Sequence, residues 1–226
     1  RVMAGQGGFL YEGRIHQKLK SKNLVPSGFS PAGTNPTAPD CMFTYEGASY
    51  PLEVKLNLAA DYGQGTLVYK DGWTLGGAKG PAADEMRSIL TSVGTVNFTN
   101  TQWGLRGAPN KGVVANKEFT QQMVADDYRR FTDKFLSVPS SALHSYYAAK
   151  NTFYIQIGDY GMYYMGGNPA GLPIPQFTPV LRIRIRLKRF RSTPIHNYGF
   201  TTALQVTQKP ARSPYNIDTN TDFLES

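Results

Sequence analysis

Residues 36–57 read PTAPDCMFTYEGASYPLEVKLN, and this stretch decides the fold. Two runs rich in β-branched and aromatic residues, 40–46 and 49–57, flank a Gly47-Ala48 turn, the pattern of a hairpin. Side chains at i and i+2 of a strand share a face. Leu52, Val54 and Leu56 therefore point into a core, while Glu53 and Lys55 lie together on the other side. With residue 46 opposite 49, Asp40 falls opposite Lys55 and Glu53 on the adjacent diagonal. Directly opposed Cβ atoms stand about 5 Å apart and diagonal ones about 7–8 Å. Two carboxylates and an ammonium thus converge on one patch. Buried charges are costly unless they are paired or hold a metal, so the patch reads as a hard-cation site with a lysine beside it.

The surrounding sequence supports an α/β domain. Residues 6–22 read as a helix, with Phe9, Ile15 and Leu19 on its apolar side. A third strand is expected over 65–75, broken near Asp71-Gly72, and a short helix over 82–93. Residues 94–116 read as loop. The second half is expected to hold a helix over 116–136, with Phe119, Met123, Phe131 and Phe135 on one face. A short helix over 140–150 and a hairpin over 152–165 follow, turning at Gly158–Gly161. Strands over 180–190 and 200–208 come last, then a polar, disordered tail from Lys209. No internal repeat is present. A boundary near 112–117 is conceivable, but the simpler expectation is one domain over 1–226. Its core spans about 6–93, its C-terminal elaboration 117–208, and its tail 209–226.

Composition bounds the function. The chain has 226 residues and a formal net charge of +8, with a pI near 9.5. That balance favours an acidic partner, most simply nucleic acid. Cys41 is the only cysteine, which excludes an intrachain disulfide and a cysteine-built zinc site. No apolar run is long enough to span a bilayer, and the start lacks an apolar signal core. The expected location is intracellular, within a host cell if the chain is phage- or virus-encoded.

The Pro-Asp pair at 39–40 followed by Glu-Val-Lys at 53–55 resembles the PD-(D/E)XK nuclease superfamily, which has the restriction endonuclease-like fold. The resemblance covers about residues 9–93. It implies a mixed sheet flanked by helices in αβββαβ order, here with an added β-rich C-terminal part. It gives Asp40 and Glu53 the role of Mg²⁺ ligands, joined by the backbone carbonyl of Val54. Glu12, on the preceding helix, matches the additional glutamate of many members. Lys55 would orient or deprotonate the attacking water and stabilise the developing charge. Some members use a glutamine shortly after the lysine, which falls on Gln64. Mn²⁺ would substitute for Mg²⁺. The implied activity is endonucleolytic hydrolysis of DNA, expected to be duplex, with a homodimer cutting both strands.

A second constellation lies at 180–191, VLRIRIRLKRFR. Leu181, Ile183, Ile185 and Leu187 alternate with Arg182, Arg184, Arg186 and Lys188, and Arg189 and Arg191 follow. Six of the chain's 24 lysines and arginines fall between 182 and 191. Like faces repeat at about 6.6 Å along a strand, near the spacing of successive phosphates, so the strand reads as a nucleic-acid contact rail. The competing reading is an edge strand protected by charge. Other signals are weaker. The glycine-rich 75–82 lacks the end of a P-loop. His16, His144 and His196 share no ligand spacing. The tyrosines of 144–165 read mainly as packing. Two rival functions stay open: an RNA-cutting nuclease with the same site, and a catalytically silent nucleic-acid-binding or packaging protein.

Overall fold

The turn after Tyr45 sets the first sheet. In the computed structural model, Glu46 and Gly47 both take positive φ, 48° and 81°. This conformation belongs to tight two-residue hairpin turns, whose twist matches that of the flanking strands. Strands β1 (Cys41–Tyr45) and β2 (Ala48–Lys55) consequently pair with Tyr45 opposite Ala48 and Cys41 opposite Leu52. The turn lies one residue earlier than expected, which shifts the register by two positions. A two-residue shift preserves every face, whereas a shift of one would have exchanged them. Asp40 thus comes alongside Glu53 instead of Lys55, still on the same side as both.

The structure describes residues 6–31, 38–69, 72–101, 129, 131–189 and 198–225. The chain is of α/β class and divides into two compact units. One comprises residues 1–60, 143–179 and 208–226, the other 61–142 and 180–207. Segment 6–93 therefore contributes to both, and is not the single core expected of it. Among the described residues, no helix is long and apolar enough to cross a membrane.

The first unit begins with α1 (Gln6–Ser21). Tyr11, Ile15 and Leu19 are buried along its length, a spacing of four that keeps one stripe inward. Phe9, expected on that stripe, is six positions before Ile15 and is 48% exposed. Asn23, with φ of 56°, ends the helix, and Leu24 N–H returns to Leu19 O at 2.9 Å, a left-handed C-terminal cap. The buried stripe packs on Cys41, Phe43, Leu52 and Val54 of the hairpin. The sheet is completed by β6 (Tyr154–Ile157) and β7 (Gly161–Tyr164) in the order β1-β2-β6-β7. β2 and β6 are parallel, with Glu53 beside Ile155 and Lys55 beside Ile157. Helix α4 (Ser140–Ala149) leads into β6, as a parallel neighbour requires a crossover. The tail after Lys209 is ordered and joins this unit, burying Ser213, Ile217, Thr221 and Leu224.

The second unit holds a five-stranded antiparallel sheet of order β4-β3-β9-β8-β5. Its strands are β3 (Gly63–Tyr69), β4 (Trp73–Leu75), β5 (Lys134–Val138), β8 (Leu181–Arg189) and β9 (Tyr198–Val206). The third strand of the 6–93 segment therefore belongs to this sheet and not to that of β1 and β2. One face is apolar: Leu67, Ile183, Ile185, Leu187, Phe200 and Leu204 are buried. Helix α2 (Pro81–Ser92) turns Met86, Ile89 and Leu90 inward, and a Cβ on Gly65 would stand only 2.8 Å from the Leu90 side chain.

Two secondary-structure expectations fail in this unit. Residues 95–101 form α3 (Thr95–Thr101) instead of loop, because Asn100 bonds both backbone groups of Trp73 and Thr95 and Thr99 are buried. Residues 134–138 form β5 instead of the end of a helix, because pairing with β8 places Leu136 beside Ile183 and Val138 beside Leu181. Helix positions Phe119 and Met123 lie outside the described residues.

Candidate active site

Four of the expected residues gather in the first unit. Asp40 stands one residue before β1, and its Oδ2 accepts a hydrogen bond from the Val54 backbone N–H at 3.1 Å. That bond extends the hairpin ladder by a side chain and fixes the carboxylate against β2. Glu53, only 7% exposed, forms an ion pair with Lys55 Nζ at 3.1 Å. Both project from the face of β2 opposite Leu52 and Val54. Glu12 lies on α1, and its backbone carbonyl accepts a weak bond from the Cys41 thiol at 3.6 Å.

These groups share one electrostatic environment. Burial pushes Asp40 up to about 7, and the neighbouring Glu53 and Glu12 carboxylates push in the same direction. Glu12 is likewise raised, by burial and then by Glu53. Burial also raises the Cys41 thiol, helped by Asp40, Glu12 and Glu53. Lys55 responds oppositely. Burial pulls it down, but Glu53, then Asp40 and Tyr146, more than offset that and leave it raised. Lys55 is therefore an ammonium at neutral pH. Once all three carboxylates ionise they carry more negative charge than one lysine cancels, and a hard cation would relieve it.

The donor set suits Mg²⁺ in kind, since Asp40 and Glu53 offer hard oxygens and the Val54 carbonyl is of the same class. It is not a closed cage: among the described residues, no three His, Cys, Asp or Glu side chains form a metal-holding group. A site of this kind would leave coordination positions for water and phosphate oxygens, as Mg²⁺ sites on nucleotides and nucleic acids do.

Two residues were not anticipated from sequence. Tyr146, on α4, has its hydroxyl raised by burial and then by Glu53, against the effect of Lys55. It therefore lies within the field of the Glu53–Lys55 pair. Gly158 N–H donates to Lys55 O at 2.9 Å, and a Cβ at Gly158 would stand 2.0 Å from Leu56 O. Only glycine allows β6 to end so close to the strand bearing Lys55. Gly158→Ala is expected to cost about 1–3 kcal/mol through overpacking. Denaturant unfolding of the variant checks this, and unchanged stability would mean that the Lys55–Leu56 backbone yields freely.

Gln64 lies on β3 in the second unit, exposed, with its Nε2 donating to Asp61 Oδ2 at 3.4 Å. That contact is with a carboxylate of its own unit. The arginine rail is only partly free. The alternation is in the expected phase, since Ile183 and Ile185 are fully buried. However, Arg184 pairs with Asp61 at 3.5 Å, and Arg186 makes a two-pronged pair with Asp133. Arg182 Nε donates to Gln205 Oε1 at 3.1 Å, with its guanidinium 3.9 Å from the Phe135 ring centre. Lys188 is exposed. Arg189 ends β8, and Arg191 and His196 lie outside the described residues. Of the other histidines, His16 is buried on α1 and His144 bonds Phe177 O at 2.6 Å.

No family model, curated protein or solved structure matches this chain.

Proposed function

We propose that this chain is a Mg²⁺-dependent DNA endonuclease of the PD-(D/E)XK type. The observation that carries the reading is the convergence of Asp40, Glu53 and Lys55 on one side of the β1–β2 hairpin, with Glu53 buried and bonded to Lys55. The first unit's α1, antiparallel hairpin and parallel β2–β6 pair suit the restriction endonuclease-like order, although its third strand is not the segment after Lys55. Asp40 and Glu53 would hold Mg²⁺, with the Val54 carbonyl joining them, while Glu12 adds negative charge nearby without completing a three-carboxylate cage. The metal would supply an activated water and neutralise charge on the scissile phosphate. Lys55, held protonated by its carboxylate neighbours, serves as the charge stabiliser and not as the base. Tyr146 borders the same pair. Two copies would supply the two sites needed to cut both strands.

The test is incubation with supercoiled plasmid, linear duplex, branched DNA and RNA. Mg²⁺ or Mn²⁺ is expected to support DNA cleavage, and EDTA to abolish it. Ca²⁺ is expected to permit binding without turnover, because its looser coordination positions water poorly. Cleavage undiminished in EDTA would overturn the metal mechanism. Cleavage confined to RNA would move the substrate assignment. Binding that ignores divalent cations, without any cleavage, would favour a packaging role.

A further inference from the structure

The polar face of the second unit's sheet carries more than a row of arginines. Among the described residues β5 is an edge strand of this sheet, and Phe135 on it is 46% exposed. Register places Phe135 beside Arg184 and Ser137 beside Arg182, so all four share this face. The Arg182 guanidinium lies over the Phe135 ring at 3.9 Å and is fixed from its other side by Gln205. Thr201 and Gln205 of β9 stand opposite Arg186 and Arg182. The face carries four cations, Arg182, Arg184, Arg186 and Lys188, against the two carboxylates bonded to them, Asp61 and Asp133.

We infer that this face binds single-stranded DNA, with the Phe135–Arg182 stack as a platform for a base. This rests on the nucleic-acid reading above and names the form of the substrate that the second unit would hold. The arginine strand is not an edge that needs protection by charge, since β8 lies between β9 and β5, so edge protection does not account for its cations. Unstacked bases can lie on aromatic rings and guanidinium planes, and the half-exposed Phe135 ring with its Arg182 partner offers both. The charge balance is complementary to a polyanion. The Arg186–Asp133 pair is surface-accessible, with 51% and 29% side-chain exposure, so a phosphate can replace the carboxylate as the guanidinium's partner.

The test measures anisotropy of fluorescein-labelled dT20 and of a 20-base-pair duplex, both in EDTA so that no cleavage intervenes. The full chain is expected to prefer dT20. Phe135→Ala is expected to weaken dT20 binding about 5- to 100-fold, as loss of one base stack does, with duplex affinity changed less than about twofold. Phe135→Tyr, which keeps the ring, is expected to retain binding, and Arg182→Gln to lose part of it. Unchanged dT20 affinity in Phe135→Ala, equal loss in Phe135→Tyr, or preference for the duplex would overturn the inference. The two readings fail separately. Metal-dependent cleavage with wild-type binding by Phe135→Ala removes the platform alone. The expected binding pattern with no cleavage in any divalent cation removes the nuclease alone.

Discussion

Under the proposed nuclease reading, Lys55→Ala is expected to lower metal-dependent cleavage by about 10²- to 10⁴-fold, the usual cost of removing a positioned charge stabiliser. The structure adds a second expected effect. Lys55 is the cation bonded to Glu53, whose side chain is 9% exposed. Removing it leaves a carboxylate with little access to water beside Asp40 and Glu12. Breaking a buried pair from one side costs on the order of 3 kcal/mol, so the variant should also melt earlier in EDTA. A divalent cation bound by Asp40 and Glu53 would replace the missing charge. Mg²⁺ should therefore raise the melting temperature of Lys55→Ala more than that of the wild type, while failing to restore turnover. Lys55→Arg, which keeps the charge but changes its geometry, should keep the melting temperature and lose rate. Wild-type cleavage by Lys55→Ala would reduce the lysine to a structural partner of Glu53.

The clustering of Asp40, Glu53 and Lys55 was legible because these residues are close in sequence. The alternation around Glu53 put Glu53 and Lys55 on one face with Asp40 even though the turn was misplaced, since the error was an even number of residues. The Asp40 bond to Val54 N–H was beyond sequence reading, because it depends on the exact register. Tyr146 was hidden for a different reason. It arrives on a helix some 90 positions later in the chain, and no local pattern marks it among its tyrosine neighbours. The arginine rail shows the same limit in reverse. Its inward phase is local and was read correctly. Its acidic partners are not: Asp61 lies 123 positions before Arg184, and Asp133 lies 53 before Arg186. A strand that looks like an unbroken row of positive charge is, once folded, half neutralised by its own unit. β5 and α3 were misread because tertiary pairing outweighed local periodicity and propensity.

Truncation after Gln208 is expected to unfold the first unit. Composition marks the tail as polar and disordered, but in the structure it closes the sheet and the core together. Met162 N–H donates to Tyr215 O at 2.7 Å, and Ser213 N–H to Tyr160 O at 2.8 Å, so the tail covers the outer edge of β7, which would otherwise offer unpaired backbone groups. A Cβ at Gly161 would stand 2.4 Å from Tyr215 O, which reserves that position for glycine. Gln156 is fully buried and spends its amide on this segment. Its Nε2 donates to Asn216 Oδ1 at 2.7 Å and to the Tyr11 hydroxyl at 3.1 Å, and its Oε1 accepts from Ile217 N–H at 3.2 Å. Asp218 receives the Tyr11 hydroxyl at 2.7 Å, and its carbonyl receives Lys18 Nζ at 2.7 Å. Ile217 and Leu224 are each 1% exposed. Losing two such side chains forfeits about 1.5–3 kcal/mol apiece, and an unmet Gln156 amide adds about 1–3 kcal/mol. A loss of that size is comparable with the whole stability of an ordinary domain, about 5–15 kcal/mol. Ile217→Asp in the full chain should act through the same contacts and lower the melting temperature by more than about 10 °C. Circular dichroism and limited proteolysis of both variants check the prediction. A truncated chain that melts at the wild-type temperature would show that Gln156, Tyr11 and the β7 edge find other partners.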